Sequence, residues 1–184
     1  MTQDAATPPR GPSLWTIAGI ACVLFGPLLM TTAPMQRLYL LAGSGYSTVV
    51  VAQSTMWLVL AAALGCHVYG DRLPLAAVGL AWPRLRSILF GLGVGASVYV
   101  GLYAVALVLW KNGLFEAKAP VDQILQWPLW LRLFMLVTAG VAEEAIYRGF
   151  AIERLTALTG RRWLAALIAL AAFVAAHVPF WGLG

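Results

Sequence analysis

The residues able to do chemistry in this sequence sit in two short polar interruptions of apolar chain. Glu143, Glu144 and Arg148 lie in the run AGVAEEAIYRGF. A carboxylate in a membrane helix costs roughly 2.5–3.5 kcal/mol on insertion scales, so such residues point to a function and call for a partner. On a helix, Glu144 and Arg148 are four apart and share a face. The acid precedes the base, which is the favoured order for a pair. That pairing leaves Glu143 about 100° round the helix, free to face something else. Tyr147 follows Glu143 by one turn and is expected to reach it with a hydrogen bond.

The second interruption is His177, in the run AAFVAAHVPFWG. Histidine titrates near neutral pH and can act as base, acid or ligand. Phe173 lies one turn earlier on the same face and is expected to wall one side of any pocket there. Gly160 is a suitable C-cap between the two segments. If they pack as an antiparallel hairpin of straight helices, Glu143 and His177 both lie roughly 25 Å from that turn and can face each other. Two plainer readings stand beside this one. Glu143, Glu144 and Arg148 also suit a solvated, salt-bridged helix end, and His177 also suits a hydrogen-bonded core histidine. His67, isolated at a helix end, is expected at an interface. Cys22 and Cys66 form no ligand or redox spacing and are expected to pack as small residues.

The elements that must hold these side chains follow from composition. The chain has 184 residues, 61% hydrophobic and 10% charged, where soluble domains carry roughly 25% charged residues. A small soluble fold cannot hide that much apolar surface. No Asp, Glu, Lys or Arg occurs between Gly11 and Gln36, Leu38 and Gly70, Ser87 and Trp110, or Trp163 and Gly184. Each gap meets the ~20 residues needed to cross a bilayer. Leu129 to Ala142 is apolar apart from Arg132. The expectation is an all-α, polytopic transmembrane helix bundle with about five membrane helices. They are placed over 13–32, 46–67, 87–110, 129–158 and 163–178. A disordered, Pro-rich tail (1–12) precedes a single transmembrane domain (13–184). Pro27 is a kink site, a short loop carries Arg37, and a polar connector runs from Lys111 to Trp127. Pro179, Trp181 and Gly182 are expected to end the last helix.

The net charge of +5 reads as membrane topology rather than nucleic-acid binding, because the basic residues sit at helix ends. Arg10, Arg72, Arg84, Arg86, Arg148, Arg154, Arg161 and Arg162 fall on one side, against Arg37, Lys111 and Lys118 on the other. That asymmetry places the N-terminus in the cytoplasm.

The run Glu143-Glu144-Ala-Ile-Tyr-Arg148-Gly149 resembles the EExxxR motif of the CAAX-protease and bacteriocin-processing family, intramembrane proteases related to the Ras-converting enzyme. The run Phe173-Val-Ala-Ala-His177 resembles that family's FxxxH motif in the next helix. Leu80-Ala-Trp-Pro83 adds a less specific likeness. The resemblance implies a catalytic Glu143 and His177 that polarise a water for attack on a peptide carbonyl. Glu144 and Arg148 then match the supporting residues. It implies a peptide or protein substrate at or in the bilayer, and an inner-membrane location in a bacterium. No cofactor is implied. A metal is the weaker reading, since catalytic zinc usually takes three protein ligands and HExxH does not occur.

The family also carries a third motif, HxxxN or a close variant, which supplies the probable oxyanion donor. No such motif lies between His177 and Gly184. Loss of an oxyanion donor typically costs about 10²–10³ in rate. The expectation is therefore a C-terminally truncated copy of a longer protease. The alternative is a non-catalytic membrane protein, serving bacteriocin self-immunity or partner binding. A solute transporter fits poorly, because inverted repeats are not seen.

Overall fold

The computed structural model describes residues 12–41, 43, 45–82, 84–113 and 124–181. All regular structure among them is helical. The tail expected over 1–12 lies outside the described residues except for Pro12. So do Pro83 and most of the connector expected over 111–127.

Helix α1 (Leu14–Met30) starts at Ser13, whose side chain accepts the backbone N–H of Thr16 at 3.0 Å. It continues through Pro27 without a break in the helix. At Thr31 and Thr32 the chain turns by 70° into α2 (Ala33–Leu41). A short loop is expected there, but Pro34 falls in a first helical turn, where its missing N–H is not needed. Side chains add hydrogen bonds to carbonyls at the bend. The Thr31 and Thr32 hydroxyls donate to Leu28 at 2.8 Å and Leu29 at 2.7 Å, and the Gln36 amide donates to Met30 at 2.7 Å. An apolar solvent demands such internal pairing.

Helix α3 (Tyr46–Gly70) ends in a π-helical turn, Cys66–Gly70. Asp71 follows and accepts from the hydroxyls of Ser13 and, at 2.7 Å, Thr16. These bonds tie the end of α3 to the start of α1. The wide turn also swings His67 inward, so it is fully buried rather than interfacial. Its Nε2–H donates to the Pro74 carbonyl at 3.0 Å, and its ring meets Phe150 edge-on at 6.0 Å. A 3-10 turn, Leu75–Val78, then closes on Gly79 in the left-handed region.

Helix α4 covers Leu85–Lys111. Helix α5 is continuous over 129–159 but changes winding twice. Leu129–Val137 is α-helical, Thr138–Ala151 is π-helical and Ile152–Thr159 is α-helical again. Gly160 ends it with φ 67°, and its N–H returns to the Thr156 carbonyl at 2.8 Å. Helix α6 (Arg162–Trp181) continues past Pro179, where a break is expected. A proline so near the end removes only one ladder bond.

The chain forms two compact units, one of residues up to Leu80 and from Leu133 onward, the other Ala81–Arg132. The second contains α4 and the first residues of α5. The core of the first is built by Val23 of α1, Ala63 of α3, Ala142, Ile146 and Phe150 of α5, and Ala165 and Ala169 of α6. Small residues let membrane helices approach closely. Trp57 donates its indole N–H to the hydroxyl of buried Thr138 at 3.0 Å.

Tyr46–Gly70, Leu85–Lys111 and Arg162–Pro179 are long and apolar enough to cross a membrane, and α1 with α2 makes a fourth if the bent pair is one span. Helix α5, expected as a fifth, carries Arg132, Glu143, Glu144, Arg148, Glu153 and Arg154. That charge keeps it out of the group. The chain is a helical membrane protein.

Three substitutions test this packing. A Cβ on Gly149 meets the Val78 carbonyl oxygen at 2.8 Å, and backbone cannot yield as a flexible side chain does. Gly149→Ala is expected to lose about 1–3 kcal/mol in chemical unfolding of the detergent-solubilised protein. Gly140→Ala, with nothing within 4 Å, is expected to lose nothing and to gain up to about 1 kcal/mol. Thr138→Val strands the Trp57 N–H and is expected to cost about 1–3 kcal/mol in the same measurement.

Candidate functional site

The left-handed Gly160 folds α5 and α6 into a hairpin. Glu143 and His177, at equal sequence distance from that turn, meet across it. Glu143 Oε2 lies 3.8 Å from His177 Nε2, with the side chains 19% and 30% exposed. That separation is too long for a direct hydrogen bond. It suits a single water hydrogen-bonded to both groups.

The imidazole's other nitrogen fixes what Nε2 can do. His177 Nδ1 lies 2.8 Å from the Phe173 carbonyl oxygen. A carbonyl only accepts, so Nδ1 carries the proton. In the neutral ring Nε2 then presents a lone pair toward Glu143. Two acceptors thus face each other, a carboxylate oxygen and an imidazole nitrogen. A water donating one hydrogen to each satisfies both and keeps its oxygen lone pairs free for attack on an electrophile.

Phe173 serves this arrangement twice. Its carbonyl holds the tautomer, and its ring lies against the imidazole with centroids 4.1 Å apart. Tyr147 packs edge-on against the opposite part of that wall, at 5.3 Å and 89°. Glu144 and Arg148 pair as their spacing suggests. One guanidinium nitrogen lies 2.6 Å from each carboxylate oxygen. The pair is on the outer side of α5, 46% and 75% exposed, away from the imidazole.

Tyr147 departs from expectation. It is 5% exposed, and its buried hydroxyl has no hydrogen-bond partner, Glu143 included. The Tyr147 ring is packed on Phe173 with centroids 5.3 Å apart, and the Glu143 carboxylate is turned toward His177.

Among the described residues no group of three or more His, Cys, Asp or Glu is arranged to hold a metal ion. Glu144 is taken up by Arg148. Gly149 escaped the sequence reading, and the burial of His67 was missed by it. Gly149 carries a signal, because a glycine inside a helix costs roughly 0.5–1 kcal/mol relative to alanine and implies close backbone approach. His67 carries none, since its burial comes from tertiary packing.

This hairpin defines a class, namely a helical membrane protein with a carboxylate–imidazole pair between adjacent helices. Residues 125–183 match the family model described as Type II CAAX prenyl endopeptidase Rce1-like, the family that the EExxxR and FxxxH runs resemble. The matched stretch contains Glu143, Glu144, Tyr147, Arg148, Phe173 and His177. No curated protein and no solved structure matches the chain.

The exposure of the Glu144–Arg148 pair sets its energetic weight. Arg148→Ala is expected to change unfolding free energy by no more than about 1 kcal/mol. A larger loss in chemical unfolding indicates a pair shielded from water by lipid.

Proposed function

We propose that this chain is an intramembrane endopeptidase in which Glu143 and His177 activate water for hydrolysis of a peptide bond. The observation that supports this most strongly is the pair of facing acceptors on adjacent helices, with Nδ1 anchored so that Nε2 is free. The family match over the same hairpin supports the reaction class.

The chemistry follows from the donors and acceptors. Water hydrogen-bonds to Glu143 and His177 and attacks the substrate carbonyl carbon. As the new C–O bond forms, its proton passes to the Glu143 carboxylate. The tetrahedral intermediate then expels the amine, and the proton held by Glu143 goes to that leaving nitrogen. His177 holds the water in line through Nε2 and stabilises the assembly without a net change of proton. Glu144 and Arg148 support the helix from its outer side. The substrate is a peptide segment at or in the bilayer, and the family's description favours one carrying a prenyl group. The distribution of Arg and Lys favours a cytoplasmic N-terminus in the inner membrane of a bacterium.

The test uses the protein in lipid vesicles with an internally quenched peptide bearing a farnesylated cysteine near its C-terminus. Glu143→Gln and His177→Ala are each expected to lower kcat about 10²–10⁴-fold, the usual range for a positioned proton-transfer group. Cleavage by Glu143→Gln at the parent's rate sinks this mechanism.

A further inference from the structure

Among the described residues the buried hydroxyls of Tyr39, Tyr147 and Thr156 lack a partner, and that of Tyr147 belongs to the ring packed on Phe173 beside His177. Leaving such a group unpaired costs roughly 1–3 kcal/mol. Each instance calls for an explanation such as a catalytic role. Phenylalanine would fill the Tyr147 site with the same ring and no such penalty. The ring's packing against Phe173 at 5.3 Å needs no hydroxyl either. Ring packing therefore does not account for the oxygen.

The surroundings indicate a use for it. The hydroxyl is sealed from solvent, so an incoming substrate does not reach it in this conformation. Glu143 precedes Tyr147 by four residues on the same helix, and its side chain stands 3.8 Å from His177 without a direct bond. The carboxylate has two oxygens, and only one is needed by the water. Tyrosine is a donor to such an oxygen, and a bond to an ionised acceptor is about twice as strong as a neutral one.

Building on the proposed protease reading, we infer that Tyr147 is a positioning residue whose hydroxyl captures the second oxygen of Glu143 in the substrate complex and locks the carboxylate toward the attacking water. The unpaired hydroxyl of the free protein is the unlatched half of that contact. Phe173 holds both sides, the phenol ring by edge contact and the imidazole through its carbonyl. The two water-binding groups are thus aligned from one residue.

The experiment compares the parent, Tyr147→Phe and Glu143→Gln in vesicles with the same farnesylated quenched peptide. Tyr147→Phe is expected to lower kcat about tenfold to a hundredfold, the scale of a reacting group misplaced by an ångström or less. KM stays within about twofold, because the contact forms at the base and not to the substrate. Unfolding of the free protein is expected to be unchanged or harder, since no bond is removed from it. Tyr147→Phe turning over at the parent's kcat, while Glu143→Gln is inactive, overturns the inference and leaves the protease reading intact. A rise in KM at constant kcat, or a fall in stability matching the fall in rate, also overturns it. Equal rates for all three proteins sink the protease reading itself.

Discussion

The placement of Glu143 opposite His177 depends on one constraint. In an apolar surrounding, every backbone N–H and C=O must be paired within the chain. The fold meets it even where helices bend. Hydroxyls of Thr31 and Thr32 and the amide of Gln36 close the α1–α2 break. Gly160 returns its N–H to Thr156 as α5 stops. His177 uses the same resource in a functional setting, because a helix carbonyl with a spare lone pair orients its ring. The tautomer is therefore fixed by local backbone and needs no second carboxylate.

Stability and site geometry draw on the same contacts. Ala142, Ala145 and Ala169 are buried in the core shared by α5 and α6, the two helices that carry Glu143 and His177. Gly149 gives the Leu75–Val78 turn room to press on the far side of α5. Arg154 adds a bond to the Ala77 carbonyl at 3.3 Å. Helix α5 is thus braced from behind by the turn, while its front carries Glu143.

Much of this was legible in the sequence, for identifiable reasons. Apolar gaps between charges reveal helices long enough for a bilayer. Equal spacing of Glu143 and His177 about Gly160 puts them at one level of a hairpin. Glu144 and Arg148 find each other by helical spacing alone. What was not legible rests on winding and on tertiary contact. The missing Tyr147–Glu143 bond has no trace in the residues, because it follows from the Tyr147 ring packing on Phe173 and Glu143 facing His177. Arg37 in a short polar interval reads as loop, although Pro34 is as well suited to a first helical turn. His67 stands alone in the sequence, and its inward direction emerges only once α3 ends in a wide turn against Phe150.

That wide winding has a further consequence. A π-helical turn encloses more chain than an α-helical one, so Thr138–Ala151 stores surplus length along α5. Rewinding part of it rotates everything before the change relative to everything after it, with no break in the ladder. Glu143 sits within this run and Gly160 beyond it. The helix therefore contains a rotary adjustment between the carboxylate and the turn that sets the opposing imidazole. Evolution can retune the reaction centre through residues that merely favour tighter or looser winding, leaving untouched every side chain that meets the reacting atoms.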